Sequence, residues 1–336
     1  MSSVLQVRDL AVEFSTYGGT VKAVRGVSFS LAQGKTLAIV GESGCGKSVT
    51  VQSLMGLIPM PPGRVTSGSA MLKGEELIGL TPKQLNQYRG KRIGMIFQDA
   101  MSALNPTMTV GNQIAETLVV HTGMSTADAR KETIALLSQV QIPEPERRLQ
   151  QYPFEFSGGM LQRTMIALSI ACKPEVLIAD EPTTALDVTI QAQILQLLRS
   201  LQESRGLSII LITHDLGVVA RMAHEVAVMY AGQIVEQGTV DDIFYRSAHP
   251  YTLGLKAAMP NRTGKQELQQ IPGSPPDLFA PPQGCGFAAR CPYAMQLCER
   301  QPPPLFGDGH LSRCWLHHAD APDSELRHQL ITSSRS

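Results

Sequence analysis

The run Leu37–Val40 (LAIV) leads directly into Gly41–Ser48 (GESGCGKS), and few stretches of this length restrict a fold as tightly. Glycines at the first and sixth positions let the main chain wrap an anionic group. A helix opening at the end of the loop points its positive terminus at that group, and Lys47 adds a full charge. Such a loop functions only between a buried strand and a helix, so it fixes the start of an α/β sheet. Gly41, Glu42, Ser43, Gly44, Cys45, Gly46, Lys47, Ser48 and Val49 are the predicted phosphate-binding residues, with the Ser48 hydroxyl placed to ligate Mg²⁺.

A second apolar run, Val176–Ala179 (VLIA), ends in Asp180 and Glu181. A strand that delivers two carboxylates to one edge of a parallel sheet marks the edge where α/β folds bind ligands. In P-loop enzymes the first acid organises Mg²⁺, and the adjacent one can polarise an attacking water, which makes Glu181 the predicted general base. Ser208–Ile212 (SIILI) reads as another buried parallel strand. From about Val4 to Gly238, β-type runs alternate with helical patterns. Residues from about 80 to 165 turn mainly helical and polar, the pattern of an inserted helical subdomain. The fold class predicted is therefore a P-loop NTPase.

Twenty-nine Lys plus Arg balance 29 Asp plus Glu, so no long-range field draws the chain to nucleic acid or to an anionic membrane. No stretch reaches the ~18 apolar residues of a membrane span, and the N-terminus lacks a basic and then apolar leader pattern. Met165–Ala179 is the most apolar region, but Lys173, Pro174 and Glu175 interrupt it, as they would a buried helix followed by a buried strand. A cytosolic chain is expected.

Ser157, Gly158 and Gly159, in FSGGM, lie about 20 residues before Asp180 and resemble the LSGGQ signature of ABC transporter nucleotide-binding subunits, with Phe156 and Met160 as departures. The resemblance covers nearly the whole chain and implies further roles. Gln98, in IFQD, matches the Q-loop glutamine that senses Mg²⁺ and water and links to the membrane subunits. His214, in ITHD, matches the switch histidine that contacts the γ-phosphate. Asp187, in TALD, matches the D-loop aspartate that connects two ATP sites. Phe14 is the choice for the aromatic that stacks on adenine, with Tyr17 as its rival. The family closes two ATPase domains head to tail, so each ATP lies between one chain's phosphate loop and the other's signature.

Beyond Met259 the composition changes, and prolines from Pro260 to Pro304 interrupt any long regular element. Cys285, Cys291, Cys298 and Cys314 fall here, separated by five, six and fifteen residues, unlike the close pairs of most zinc sites. On spacing alone a 4Fe-4S cluster, a structural Zn²⁺ and four free thiols all remain open. HPYT at His249–Thr252, followed by IPGSPP, GCGF and RCPYA, resembles the C-terminal region of oligopeptide and dipeptide importer ATPases, as does QDAMSALNP from Gln98 to Pro106. That resemblance implies a 4Fe-4S cluster on the four cysteines, stapling a segment too small to bury much apolar surface.

The resulting expectation is an ATPase domain over residues 1–258, a Pro-rich cysteine segment over 259–320 and a flexible tail over 321–336. The resemblance further implies ATP and Mg²⁺ as ligands and a second ABC ATPase subunit, commonly a different one, as partner. It also implies two transmembrane permeases, an extracytoplasmic peptide-binding protein and a peripheral position on the cytoplasmic face of the inner membrane. Importers of nickel chelates, metallophores and antimicrobial peptides share these features. A soluble ABC ATPase of DNA repair or translation and a redox iron-sulfur protein are the readings from other classes.

Overall fold

The computed structural model describes residues 3–184, 186–259 and 270–322. The expected tail lies almost wholly outside them. The chain divides into two compact units, one of Met1–Leu5, Leu31–Thr36 and Gly79–Ile212, the other of Gln6–Ser30, Leu37–Ile78 and the described residues of Thr213–Ser336.

The first unit is built on parallel strands. Ile93–Ile96 pairs with Val176–Asp180, which pairs in turn with Ser208–Thr213. All residues of these three strands are buried, which is why they read as continuous apolar runs rather than as alternating ones. Against them stands a helical layer in which Val110–Thr122, Thr126–Gln139 and Gly158–Ile170 pack on one another. Each begins at a side-chain cap: the hydroxyls of Thr109, Ser125 and Ser157 accept the amides of Asn112, Asp128 and Met160. Val110, Ile114 and Leu118 face inward on the first, and Ala129, Thr133 and Leu136 on the second, the spacing of one helical face. Met165–Ala179 is divided as anticipated, a buried helical end followed by a buried strand.

In the second unit Thr36–Val40 pairs parallel with Glu225–Tyr230, which pairs antiparallel with Gln233–Thr239. A four-stranded sheet orders Gly19–Ala32, Ser3–Thr16, Gly63–Leu72 and Glu75–Glu76.

The cysteine segment is held to this unit by more than any staple of its own. Leu311–Ser312 adds an edge to Gln233–Thr239, pairing Ser312 with Glu236. The fully buried Glu236 carboxylate accepts the amides of Ala248 (2.6 Å) and His249 (2.9 Å) and the His310 ring at 2.8 Å. Phe287 packs on Tyr230, Tyr251 and His249, with ring centroids 5.3 to 5.9 Å apart. The expectation that this segment buries little apolar surface is thus corrected: Phe287, Cys314 and Leu316 are all buried.

Candidate nucleotide site

The phosphate loop begins where the Thr36–Val40 strand ends, and its glycines are dictated by contact. A Cβ on Gly41 would sit 2.1 Å from the Met229 carbonyl oxygen; one on Gly46, whose φ is +101°, would sit 2.4 Å from that of Ala23. No side chain fits at either point. The helix Lys47–Leu54 starts at Gly46 without a side-chain cap, so its first amides are served by no capping side chain. Lys47 is buried, and its ammonium donates to the carbonyls of Gly41 (2.8 Å) and Glu42 (3.0 Å). Burial pushes the Cys45 thiol up. The Glu42 amide donates to the Tyr251 hydroxyl at 2.9 Å, and the Glu42 carboxylate receives both terminal nitrogens of Arg290 at 2.7 and 3.0 Å. His214 lines a cleft of about 410 Å³ together with Gly41 and Glu42.

In the other unit, parallel register sets Ile96 beside Ala179, so the residues following these two strands emerge on the same edge. Gln98 and Glu181 meet there: the amide of Gln98 donates to Glu181 Oε2 at 3.0 Å, and the Thr184 hydroxyl donates to the same oxygen at 3.0 Å. Glu181 carries φ = +46°, a left-handed conformation uncommon for a side-chain-bearing residue, and its amide donates to the Ile212 carbonyl. Asp180, the last residue of its strand, is 3% exposed. Ser157 and Gly158 lie exposed at the start of their helix. Asp187 caps the helix Val188–Arg205 by accepting the Ile190 amide, and a Cβ on Gly159 would come 3.0 Å from Ile190. The signature and the Asp187 turn are therefore neighbours.

Phe14 is half-buried, its ring 3.0 Å from where a Gly63 Cβ would lie, whereas Tyr17 is fully exposed. Cys285, Cys291, Cys298 and Cys314 line one small cleft with His249, Phe287 and Trp315. Among the described residues no group of three or more His, Cys, Asp or Glu is arranged to hold a metal ion. Three contributors had no local signature in the sequence: Arg290, Tyr251 and Thr184. Tyr251 and Arg290 stood inside HPYT and RCPYA, but nothing near either in sequence pointed to the loop.

A glycine loop between buried strand and helix, with an Asp–Glu pair ending another parallel strand and an SGG helix start, defines the ATP-binding cassette. The chain matches the ABC transporter family model over residues 24–184 and the model of the oligopeptide/dipeptide transporter C-terminal region over 235–298. It is 57% identical over 329 residues to the oligopeptide transport ATP-binding protein OppD of Bacillus subtilis, covering 97% of this chain and 92% of that one. It is 56% identical to the dipeptide transport ATP-binding protein DppD of the same organism, over 97% and 98% of the two chains. A dimeric ATP-binding cassette in a post-hydrolysis state bound to ADP and Pi superposes with a TM-score of 0.63 at 25% identity, over 70% of this chain and 98% of the other. The chain belongs to the ABC transporter family, among its oligopeptide and dipeptide ATP-binding proteins.

Proposed function

We propose that this chain is the ATP-hydrolysing subunit that energises import of di- and oligopeptides through an ABC transporter. The observation that carries the reading is its near-full-length similarity to peptide-transport ATP-binding proteins, which extends through the C-terminal region as well as the cassette. Residues 1–258 act as the ATPase domain and 259–320 as its cysteine-bearing extension.

Lys47 and the loop amides hold the β- and γ-phosphates, and Gly41, Gly44 and Gly46 let the main chain approach them. Ser48, Gln98 and Asp180 would hold Mg²⁺; all three offer the hard oxygen donors that ion takes. When bound, Mg²⁺ draws negative charge from the phosphates as transfer proceeds. Glu181 receives a proton from the attacking water, its carboxylate steadied by Gln98 and Thr184. His214, in the cleft beside Gly41, contacts the γ-phosphate. Exposed Ser157 and Gly158, with Gly159 and Asp187, complete the site of a second ATPase subunit, here a similar but distinct chain. The half-buried Phe14 stacks on adenine, with the fully exposed Tyr17 as its rival.

Among the described residues no helix is long and apolar enough to cross a membrane. The chain works as a peripheral subunit on the cytoplasmic face, against two permeases served by an extracytoplasmic binding protein. Reconstituted with its permeases, its partner ATPase and that binding protein, it is expected to hydrolyse ATP faster when di- or tripeptides are added. Stimulation by a nickel chelate and not by peptide would overturn the assignment of cargo.

The four cysteines are assigned to a 4Fe-4S cluster. Cys285, Cys291, Cys298 and Cys314 line one small cleft, and four thiolates are the ligand set that such a cluster takes. Burial holds Cys291 up at about 11 and Cys314 up at about 12, so loading must displace their protons. The cluster, when bound, supplies a structural cross-link. Anaerobic purification is expected to give about four iron and four sulfide per chain; stoichiometric zinc without iron would exclude it.

A further inference from the structure

Arg290 belongs to the cysteine segment yet reaches the phosphate loop. Its side chain is 5% exposed and pairs in two-pronged fashion with Glu42, the second residue of that loop. The same guanidinium donates to the carbonyls of Pro272 (2.8 Å) and Ile271 (3.3 Å) and to the Tyr230 hydroxyl (3.2 Å). With these contacts it is fixed before it meets Glu42, and a planar fork so fixed sets the carboxylate in position as well as in charge. From the other side the Tyr251 hydroxyl accepts the Glu42 amide.

Two consequences follow for a loop that must receive a polyanion. Glu42 places a carboxylate among phosphate-binding residues, and left alone it would repel the incoming phosphates. Its main chain also carries one of the two carbonyls that hold the Lys47 ammonium, so any shift of Glu42 shifts Lys47.

We propose that Arg290 is a positioning residue for nucleotide binding: it neutralises Glu42 and holds the loop in its phosphate-ready shape, tying ATP affinity to the fold of the cysteine segment. The proposal rests on the reading of Gly41–Ser48 as the ATP site. It is a long-range device, with the two side chains 248 positions apart.

The test is the affinity of the full chain for a fluorescent N-methylanthraniloyl-ATP. Wild-type protein is measured first, and absence of binding there would fail the ATP-site reading itself rather than this proposal. Given wild-type binding, Arg290→Gln is expected to raise Kd on the order of tenfold, since a displaced binding group loses its geometry. In ATPase assays KM should rise in step while kcat stays near wild type. Arg290→Lys, which keeps the charge but not the fork, should recover part of the loss. The double variant Arg290→Gln/Glu42→Gln should bind more tightly than Arg290→Gln alone, because the unpaired carboxylate is gone. A purely structural role for Arg290 predicts no such recovery. Wild-type affinity in Arg290→Gln, or a double variant no better than the single one, overturns the proposal. Should Arg290→Gln not fold, Glu42→Gln carries the test: the carboxylate it removes is already neutralised, so only the two-pronged hold on the loop is lost and Kd should rise; an unchanged or lower Kd there overturns the proposal.

Discussion

Glu181→Gln should bind ATP and lose turnover by about 10²- to 10⁴-fold, the range contributed by a positioned general base. The substitution keeps size and shape and leaves Gln98 and Thr184 an oxygen to donate to, so the loss falls on proton transfer and not on architecture. The strained backbone at Glu181, with φ = +46°, strengthens this expectation. A side chain held in an unfavourable conformation at a strand end, with two donors fixing one carboxylate oxygen, is placed for reaction geometry rather than for folding ease. Rapid-quench measurement of a single turnover, alongside nucleotide binding, separates the two effects. Near-normal turnover would mean that Glu181 is not the base.

Lys47→Ala is expected to weaken ATP binding by roughly 10²-fold or more, since a charge-assisted hydrogen bond from the ammonium to a phosphate is worth about 1.5 to 3 kcal/mol and the loop also loses a brace. The effect has two sources. One is the missing positive charge opposite the phosphates. The other is the shape of the loop, because Lys47 holds the Gly41 and Glu42 carbonyls together at 2.8 and 3.0 Å. Titration with the same fluorescent nucleotide checks it, and an unchanged Kd would remove Lys47 from the site. The two variants should therefore differ in kind, with turnover lost at Glu181 and occupancy lost at Lys47.

Those residues were legible because their chemistry is local. Gly41, Gly46 and Lys47 fall within seven positions, and Asp180 and Glu181 terminate a run of apolar residues whose burial follows from their own side chains. The strands at Leu37–Val40, Val176–Ala179 and Ser208–Ile212 were readable for the same reason. What stayed hidden depends on the folded chain. Gln98 lies 83 positions from Glu181, and Arg290 far further from Glu42, so neither pairing leaves a periodic trace. Sequence placed the four cysteines together but gave no sign that Phe287 would enter an aromatic cluster or that Glu236 would anchor the segment. A buried carboxylate satisfied by two amides and an imidazole is specified by three-dimensional neighbours, not by spacing.

The anchoring carboxylate has a consequence for how such a protein can be cut or fused. Glu236 sits on a strand of the ATPase domain, while its ring partner, His310, comes from the extension. A shortened chain ending near residue 258 would keep every residue of the catalytic signature and still lose His310. It would also uncover the ring faces of Tyr230 and Tyr251 that Phe287 covers. Removing one hydrogen-bond partner from a buried carboxylate costs about 1 to 3 kcal/mol, a sizeable share of a typical domain's whole stability. The extension is therefore no detachable accessory: swapping cassettes between transporters of this kind requires the strand and the extension to travel as one piece.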